Sequence, residues 1–161
     1  MGLIDFDIQW TKEIENKNEY CFYRCRHKID RQTLEMRMYQ WDYNEDTIWF
    51  SIMLSVHNKR KHIDKHMDSK AITGENPLKT ISIGLQMFDA MEKKCIEEFD
   101  YFNNIVIFCT WLDKRRRDTY YRILSRRGYK FSTINGEKVI MKKWSKKNDR
   151  KENFCKDDEW Y

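Results

Sequence analysis

The sequence predicts an α+β fold: a mixed, mostly antiparallel central sheet with a β-meander, two main helices and a C-terminal hairpin. Three patterns carry that expectation. Period-two apolar segments cluster between residues 20 and 57, an apolar stripe at helical spacing runs from 78 to 99, and a continuous apolar run at 105–112 precedes a basic helix and a hairpin. Strands grouped ahead of helices, with one later buried strand, favour segregated layers over an alternating parallel sheet.

Each element has its own signal. Leu3, Ile4, Phe6, Ile8 and Trp10 alternate well enough for a short strand, while the following TKEIENKNE fits either a helical turn or a loop. YCFYRCRHKI, TLEMRMYQWDY and TIWFSIMLSVH read as three strands separated by DRQ and NED, and connections this short imply antiparallel neighbours. The third is the clearest, with Ile48, Phe50, Ile52, Leu54 and Val56 on one face and Trp49, Ser51, Met53, Ser55 and His57 on the other. A polar bridge leads to Asn76-Pro77, a helix start suited to a residue that lacks a donor the first turn does not use. Leu78, Ile81, Leu85, Phe88, Met91, Cys95 and Phe99 then recur every three or four residues. The apolar run at 105–112 predicts a strand buried on both faces. A second helix is expected over 114–127, with Tyr120, Tyr121 and Leu124 inward, Arg126 and Arg127 complementing its dipole and Gly128 as its stop. Asn135-Gly136 between YKFSTI and EKVIMKKW predicts a hairpin, because a two-residue turn of this kind needs positive φ twice.

Composition bounds the function. With 161 residues, 40% of them hydrophobic and 15% aromatic, the chain is long enough for one real core and too apolar for disorder. Residues 1–144 read as one domain and 145–161 as a charged tail. No run reaches the roughly 18 apolar residues a membrane span requires. The first ten residues lack the pattern of a signal peptide, and Phe6 stands where a myristoylation signal prefers Ser or Thr. The expectation is a soluble intracellular protein. Five cysteines without a CxxC pair are expected to be reduced, with Cys95 and Cys109 acting as small apolar groups. Charge is distributed unevenly: residues 114–151 hold 15 Lys and Arg against 3 acids, whereas acids outnumber bases elsewhere. Such polarity steers an anionic partner toward one end of a molecule.

The succession of strands, helix, buried strand, basic helix and hairpin resembles the GCN5-related N-acetyltransferase (GNAT) fold. More narrowly, the stretch T-G-x-x-x-x-K-T, an apolar helix, I-V-I-F and R-R-R-D-x-Y-Y-R-x-L-x-R-R-G-Y over residues 72–131 is similar to GNAT-like proteins commonly encoded by bacteriophages. The resemblance implies that acetyl-CoA or coenzyme A is held where the first helix begins, by Gly74 and the backbone near Lys79 and Thr80, with Arg116 and Arg117 near its phosphates. An anion at a helix N-terminus meets unpaired N–H groups and the positive end of the dipole. It also implies a tyrosine acid four residues before the Gly of a Gly-Tyr/Phe pair. Counting back from Gly128 gives Leu124, which carries no proton to give, and leaves Tyr120 or Tyr121 as substitutes. The Arg/Gln-x-x-Gly-x-Gly/Ala loop of active members is reduced to Gly74-Glu75-Asn76-Pro77. These departures point to a degenerate acyl-CoA site in a protein acting by binding a host or viral protein, with an acyl-CoA-dependent N-acyltransferase as the alternative.

Three further constellations carry chemistry of their own. His57, His62 and His66 with Asp64 and Asp68 have two imidazoles at helical spacing, yet Lys59, Arg60, Lys61 and Lys65 surround them, and a solvated loop without metal is the expectation. The Lys114 to Arg117 run, with Trp111, Tyr120, Tyr121 and Trp144 nearby, fits a nucleic-acid-binding protein using the basic C-terminal third. Glu35, Asp42, Glu45 and Asp46 are candidate general bases, with Glu35 read as an ordinary exposed carboxylate.

Overall fold

The computed structural model describes residues 4–57, 77–111 and 113–146. Among these residues seven strands form a single sheet in the order β1-β2-β3-β4-β5-β7-β6. They are β1 (Ile8–Glu15), β2 (Asn18–Ile29), β3 (Gln32–Tyr43), β4 (Thr47–His57), β5 (Asn104–Cys109), β6 (Lys130–Ile134) and β7 (Glu137–Ser145). Helix α1 (Pro77–Glu98) lies between β4 and β5 in the chain, and α2 (Lys114–Leu124) between β5 and β6. The expected α+β class with a mostly antiparallel sheet and two helices is therefore what forms. No helix among the described residues is long and apolar enough to cross a membrane. The polar bridge with Gly74, His62 and His66, and the tail from residue 147, lie outside the described residues.

Contacts divide the chain into two compact units, the first comprising Met1–Tyr39 and Met53–Glu97, the second Gln40–Ile52 and Glu98–Tyr161. In the first, residues 8–15, for which the sequence allows several conformations, form β1 and pair antiparallel with β2 from Ile8↔Cys25 to Glu15↔Asn18. The turn between them is Asn16-Lys17, with φ of 50° and 68°, and Asp30 turns β2 into β3 with φ of 55°. Asn and Asp accept the left-handed region more readily than most residues because their short side chains bond locally.

Helix α1 runs from Pro77 as expected, but its buried face is rotated from the predicted stripe. Leu78 is 83% exposed, while Thr80, Ile83, Met87, Phe88, Met91 and Cys95 are buried. The line through Thr80, Ile83, Met87, Met91 and Cys95 keeps three- and four-residue spacing. Thr80 begins this line and Leu34 of β3 comes alongside Gly84, so Leu78, the large apolar residue of the first turn, does not mark the inward direction.

The second departure concerns Glu35, expected to be exposed and found at 0% exposure. Cross-strand register places Arg26 opposite Glu35, Arg24 opposite Arg37 and Phe22 opposite Tyr39, so these side chains share one face of β2–β3. Arg26 Nε donates to Glu35 Oε1, and Arg37 Nε donates to Glu35 Oε2 at 2.6 Å. Arg37 Nη1 donates to the Tyr39 hydroxyl at 2.9 Å, and its guanidinium lies 4.8 Å from the Phe22 ring centroid. Burial acts to lower the Arg37 pKa, but the Tyr39 hydroxyl and the Glu35 carboxylate more than offset it and hold it above its ordinary value. Burial likewise raises the Tyr39 phenol. Burial pushes the Cys25 thiol up to about 12, with Asp7 and Glu35 adding to it, so that thiol stays protonated. Cys21, Cys25, Cys95 and Cys109 are thiols, in no disulfide.

In the second unit β5 pairs parallel with β4 from Thr47↔Asn104 to Ser51↔Phe108, and antiparallel with β7 from Asn104↔Ser145 to Cys109↔Ile140. Ile105 through Cys109 are all buried, as the continuous apolar run predicts, and Thr110 is exposed. Burial alone pushes the Cys109 thiol up to about 12. Val106 and Phe108 pack with Val139 and Met141, and Trp49 and Ile134 close over that cluster. The β3–β4 turn pins the start of the parallel pair. Asn44 Oδ1 accepts from the backbone N–H of Asp46 and of Thr47, both at 2.8 Å. Asp46, a candidate base in the sequence, instead accepts from Asn103 Nδ2 at 2.8 Å, Asn104 Nδ2 at 2.7 Å and Thr47 Oγ1 at 3.2 Å. Its backbone carbonyl accepts the Asn104 N–H at 2.9 Å. The Asn103 bond leads the interactions that hold the Asp46 carboxyl below its ordinary pKa, against the opposing effect of desolvation.

The buried ion group yields one stability prediction. Glu35→Ala leaves two guanidinium groups without their shared acceptor, and breaking a buried pair from one side costs about 3–5 kcal/mol. Urea denaturation of the variant should show that loss at an unchanged slope. A change below about 1 kcal/mol, the range of an exposed pair, would contradict the buried assignment.

Candidate functional site

The surface that brings functional groups together in the second unit is made by α2 and the β6–β7 hairpin. Asp113 caps α2, its Oδ1 accepting the Arg116 N–H at 2.8 Å, which satisfies one orphan donor of the first turn. The helix ends at Leu124, and a 3-10 turn over Ser125–Arg127 closes on Gly128, whose φ of 87° lies in the left-handed region. Tyr129 N–H donates back to Leu124 O at 3.1 Å. Behind this turn Lys142 is buried, donates to Arg127 O at 2.6 Å and holds its ammonium 5.0 Å from the Trp144 ring centroid. A cation at the last carbonyls complements the helix dipole. Asn135 and Gly136, with φ of 52° and 83°, form the expected two-residue turn of the hairpin.

The register Phe131↔Ile140 and Thr133↔Lys138 sets Phe131, Thr133 and Lys138 on one face of the hairpin. Tyr121 of α2 stacks on Phe131 with centroids 4.2 Å apart and planes 13° from parallel, and Trp111 meets Phe131 edge-on at 6.0 Å. These three rings stand in an open groove of about 840 Å³, rimmed by Arg117, Arg122, Arg126 and Lys138. Tyr121 is 37% exposed and Phe131 45% exposed. Asp118, the one carboxylate among the described residues that line the groove, accepts from Arg117 Nε at 3.0 Å and Nη2 at 2.9 Å.

The residues singled out in the sequence fall in different places. Arg117 and Tyr121 share this groove. Arg116 instead turns inward and is buried, its Nε 3.9 Å from Asp113 Oδ2. Tyr120 is half-buried and does not line the groove. The inner side of α2 is thus set by Arg116 and Leu124, with Tyr121 turned outward onto Phe131, where the sequence places it inward. Lys79 and Thr80 belong to the first unit. Thr80 is buried, and the Lys79 ammonium lies 3.6 Å from Asp30 Oδ1. Gly74 lies outside the described residues. Sequence reading missed Phe131, Arg122, Arg126 and Lys138 as site members. The available signal was the period of two in β6, which turns Phe131 to the same side as Thr133.

No protein-family model matches the chain, and no curated protein or solved structure matches it either.

The groove depends on the sharp reversal after α2, and Gly128 makes that reversal possible. A Cβ there would meet Lys142 Nζ at 3.0 Å and Cε at 3.2 Å, in addition to the left-handed backbone. Gly128→Ala should therefore destabilise the fold by about 1–2 kcal/mol from backbone conformation alone, measured as a lowered chemical-denaturation midpoint. An unchanged midpoint would show that the turn is not the left-handed one described.

Proposed function

We propose that this chain is a GNAT-like protein that keeps the scaffold of an acyl-CoA-dependent transferase and works by binding rather than by acyl transfer. The order of elements supports the scaffold: four strands, α1, a strand buried on both faces and parallel to β4, α2 and a closing hairpin. The observation that carries the loss of catalysis is Leu124. It stands four residues before Gly128, where the resemblance calls for a tyrosine acid, and it is 8% exposed and packed on the inner side of α2. A hydrocarbon side chain has no proton for a departing thiolate.

The groups at the start of α1 do not fit a pyrophosphate well. Pro77 lacks an N–H, the Thr80 side chain is buried and the Lys79 ammonium already faces Asp30. Among the described residues only the backbone donors of the first turn remain for an anion. Tyr121, exposed and stacked on Phe131, and Tyr120, half-buried beside it, are the residues an active enzyme of this sequence would draw on as acid.

The test is acetyl transfer from acetyl-CoA to a panel of amines, read together with a thermal-shift titration with coenzyme A. The expected result is no transfer and no rise in melting temperature at millimolar ligand, since a bound ligand stabilises by mass action. Transfer that is lost in Tyr121→Phe would overturn the reading and establish an N-acyltransferase instead.

A further inference from the structure

We infer that the groove between α2 and the β6–β7 hairpin is a binding site for single-stranded nucleic acid. The inference names a ligand class for the binding role proposed above, and rests on that role only in taking binding as the chain's work.

Two independent features of the groove meet the two halves of a nucleotide. The first is the aromatic shelf. Tyr121 and Phe131 lie nearly parallel at 4.2 Å, with Trp111 buttressing Phe131 edge-on. Such rings bury roughly 150–250 Å² each when a core can take them, yet here 37% of Tyr121 and 45% of Phe131 stay in solvent. A planar base laid on Tyr121 continues a stack the protein has already begun and removes that surface from water. Every base has such a face, so recognition of this kind tolerates sequence.

The second feature is the rim. Arg117, Arg122, Arg126 and Lys138 surround the shelf, and Asp118 is the only acid among the described residues that line it. That carboxylate is occupied by Arg117. Arg122 and Arg126 project from α2 and the turn after it, while Lys138 rises from β7 across the groove. Cations therefore flank the stacked rings on both sides, as a backbone with one phosphate per base requires. The groove also lies within the segment 114–151, where 15 bases face 3 acids, so the local field draws an anionic chain to this part of the sequence.

Single strands fit better than duplexes for a physical reason. In a duplex the bases are stacked on each other and only their edges are reachable, whereas the shelf offers ring faces. An acidic protein would satisfy the rim but would leave the exposed rings without a planar partner. The described surface thus favours nucleic acid over the protein partner among the partner classes the sequence raises.

The experiment is fluorescence anisotropy of a labelled oligothymidylate titrated with the full chain over a salt series. Binding is expected at low salt, with affinity falling linearly on a log–log plot. Tyr121→Ala and Phe131→Ala should each weaken it at least about fivefold, the lower end of what one stacked base contributes. Tyr121→Phe should keep wild-type affinity, because the ring and not the hydroxyl is used. The double variant Arg122→Gln/Arg126→Gln should reduce the salt slope by about 1.4, or about 0.7 for each single-strand phosphate no longer neutralised. Three results would overturn the proposal: no binding at roughly 50 mM salt, equal affinity for a duplex of the same length, or full affinity in the doubly substituted Tyr121→Ala/Phe131→Ala protein with an unchanged thermal melt. Because acyl transfer is read in a separate assay, and Tyr121→Phe would abolish transfer by an active enzyme while leaving nucleic-acid affinity unchanged, failure of one reading is distinguishable from failure of the other.

Discussion

The parallel pairing of β4 with β5 is the constraint on which the rest of the second unit depends. Parallel strands cannot be joined by a tight turn, so the register of this pair must be set by contacts far apart in sequence. Asp46 supplies them. Its carboxylate holds Asn103, Asn104 and Thr47, and its carbonyl holds the Asn104 N–H. With Thr47 opposite Asn104, the apolar run that follows meets β4 on one edge and β7 on the other. A one-residue slip would exchange the two faces of β5, moving Val106 and Phe108 out of the cluster they form with Val139 and Met141. The β7 strand that β5 positions then carries both Lys142, which caps the turn after α2, and Lys138 at the groove.

The first unit is organised by a different interaction, a carboxylate buried between two guanidinium groups. Glu35 accepts from Arg26 and Arg37 on one face of β2–β3, and the opposite face carries Leu34, Met36 and Met38. Burying charge is costly unless each group is paired and hydrogen-bonded, and here Tyr39 and Phe22 complete the surroundings of Arg37. Strand β3 is therefore buried on both faces by unlike chemistry, apolar on one and ionic on the other.

What could be read from the sequence follows from this division. Elements whose formation is local were legible: the period of two in β4, the helix start at Pro77, the Gly128 stop and the Asn135-Gly136 turn each follow from residues that are neighbours in the chain. Elements that depend on a partner strand were not. Glu35 has the pattern of an exposed alternating residue, and only the register that brings Arg26 opposite explains its burial. The inward side of α1 was misjudged in its first turn, where Thr80 is buried and the larger Leu78 exposed, while Phe88, Met91 and Cys95 of the expected stripe are buried. Tyr121 reads as an inward residue of α2 until Phe131, ten residues on, provides a ring to stack on. Asp46 looked like a base because carboxylate chemistry is visible in sequence and its hydrogen-bond partners are not.

The second unit gives an α+β frame whose exposed aromatic and basic groups collect along α2 and the β6–β7 hairpin. The frame itself stands or falls on the parallel seam. Backbone NOE spectroscopy with amide hydrogen exchange tests it most directly. Interstrand contacts in parallel register from Thr47–Asn104 to Ser51–Phe108, with the slowest exchange of the second unit at Ile105 to Cys109, are the predicted result. Antiparallel contacts between these strands, or rapid exchange along β5, would contradict the account.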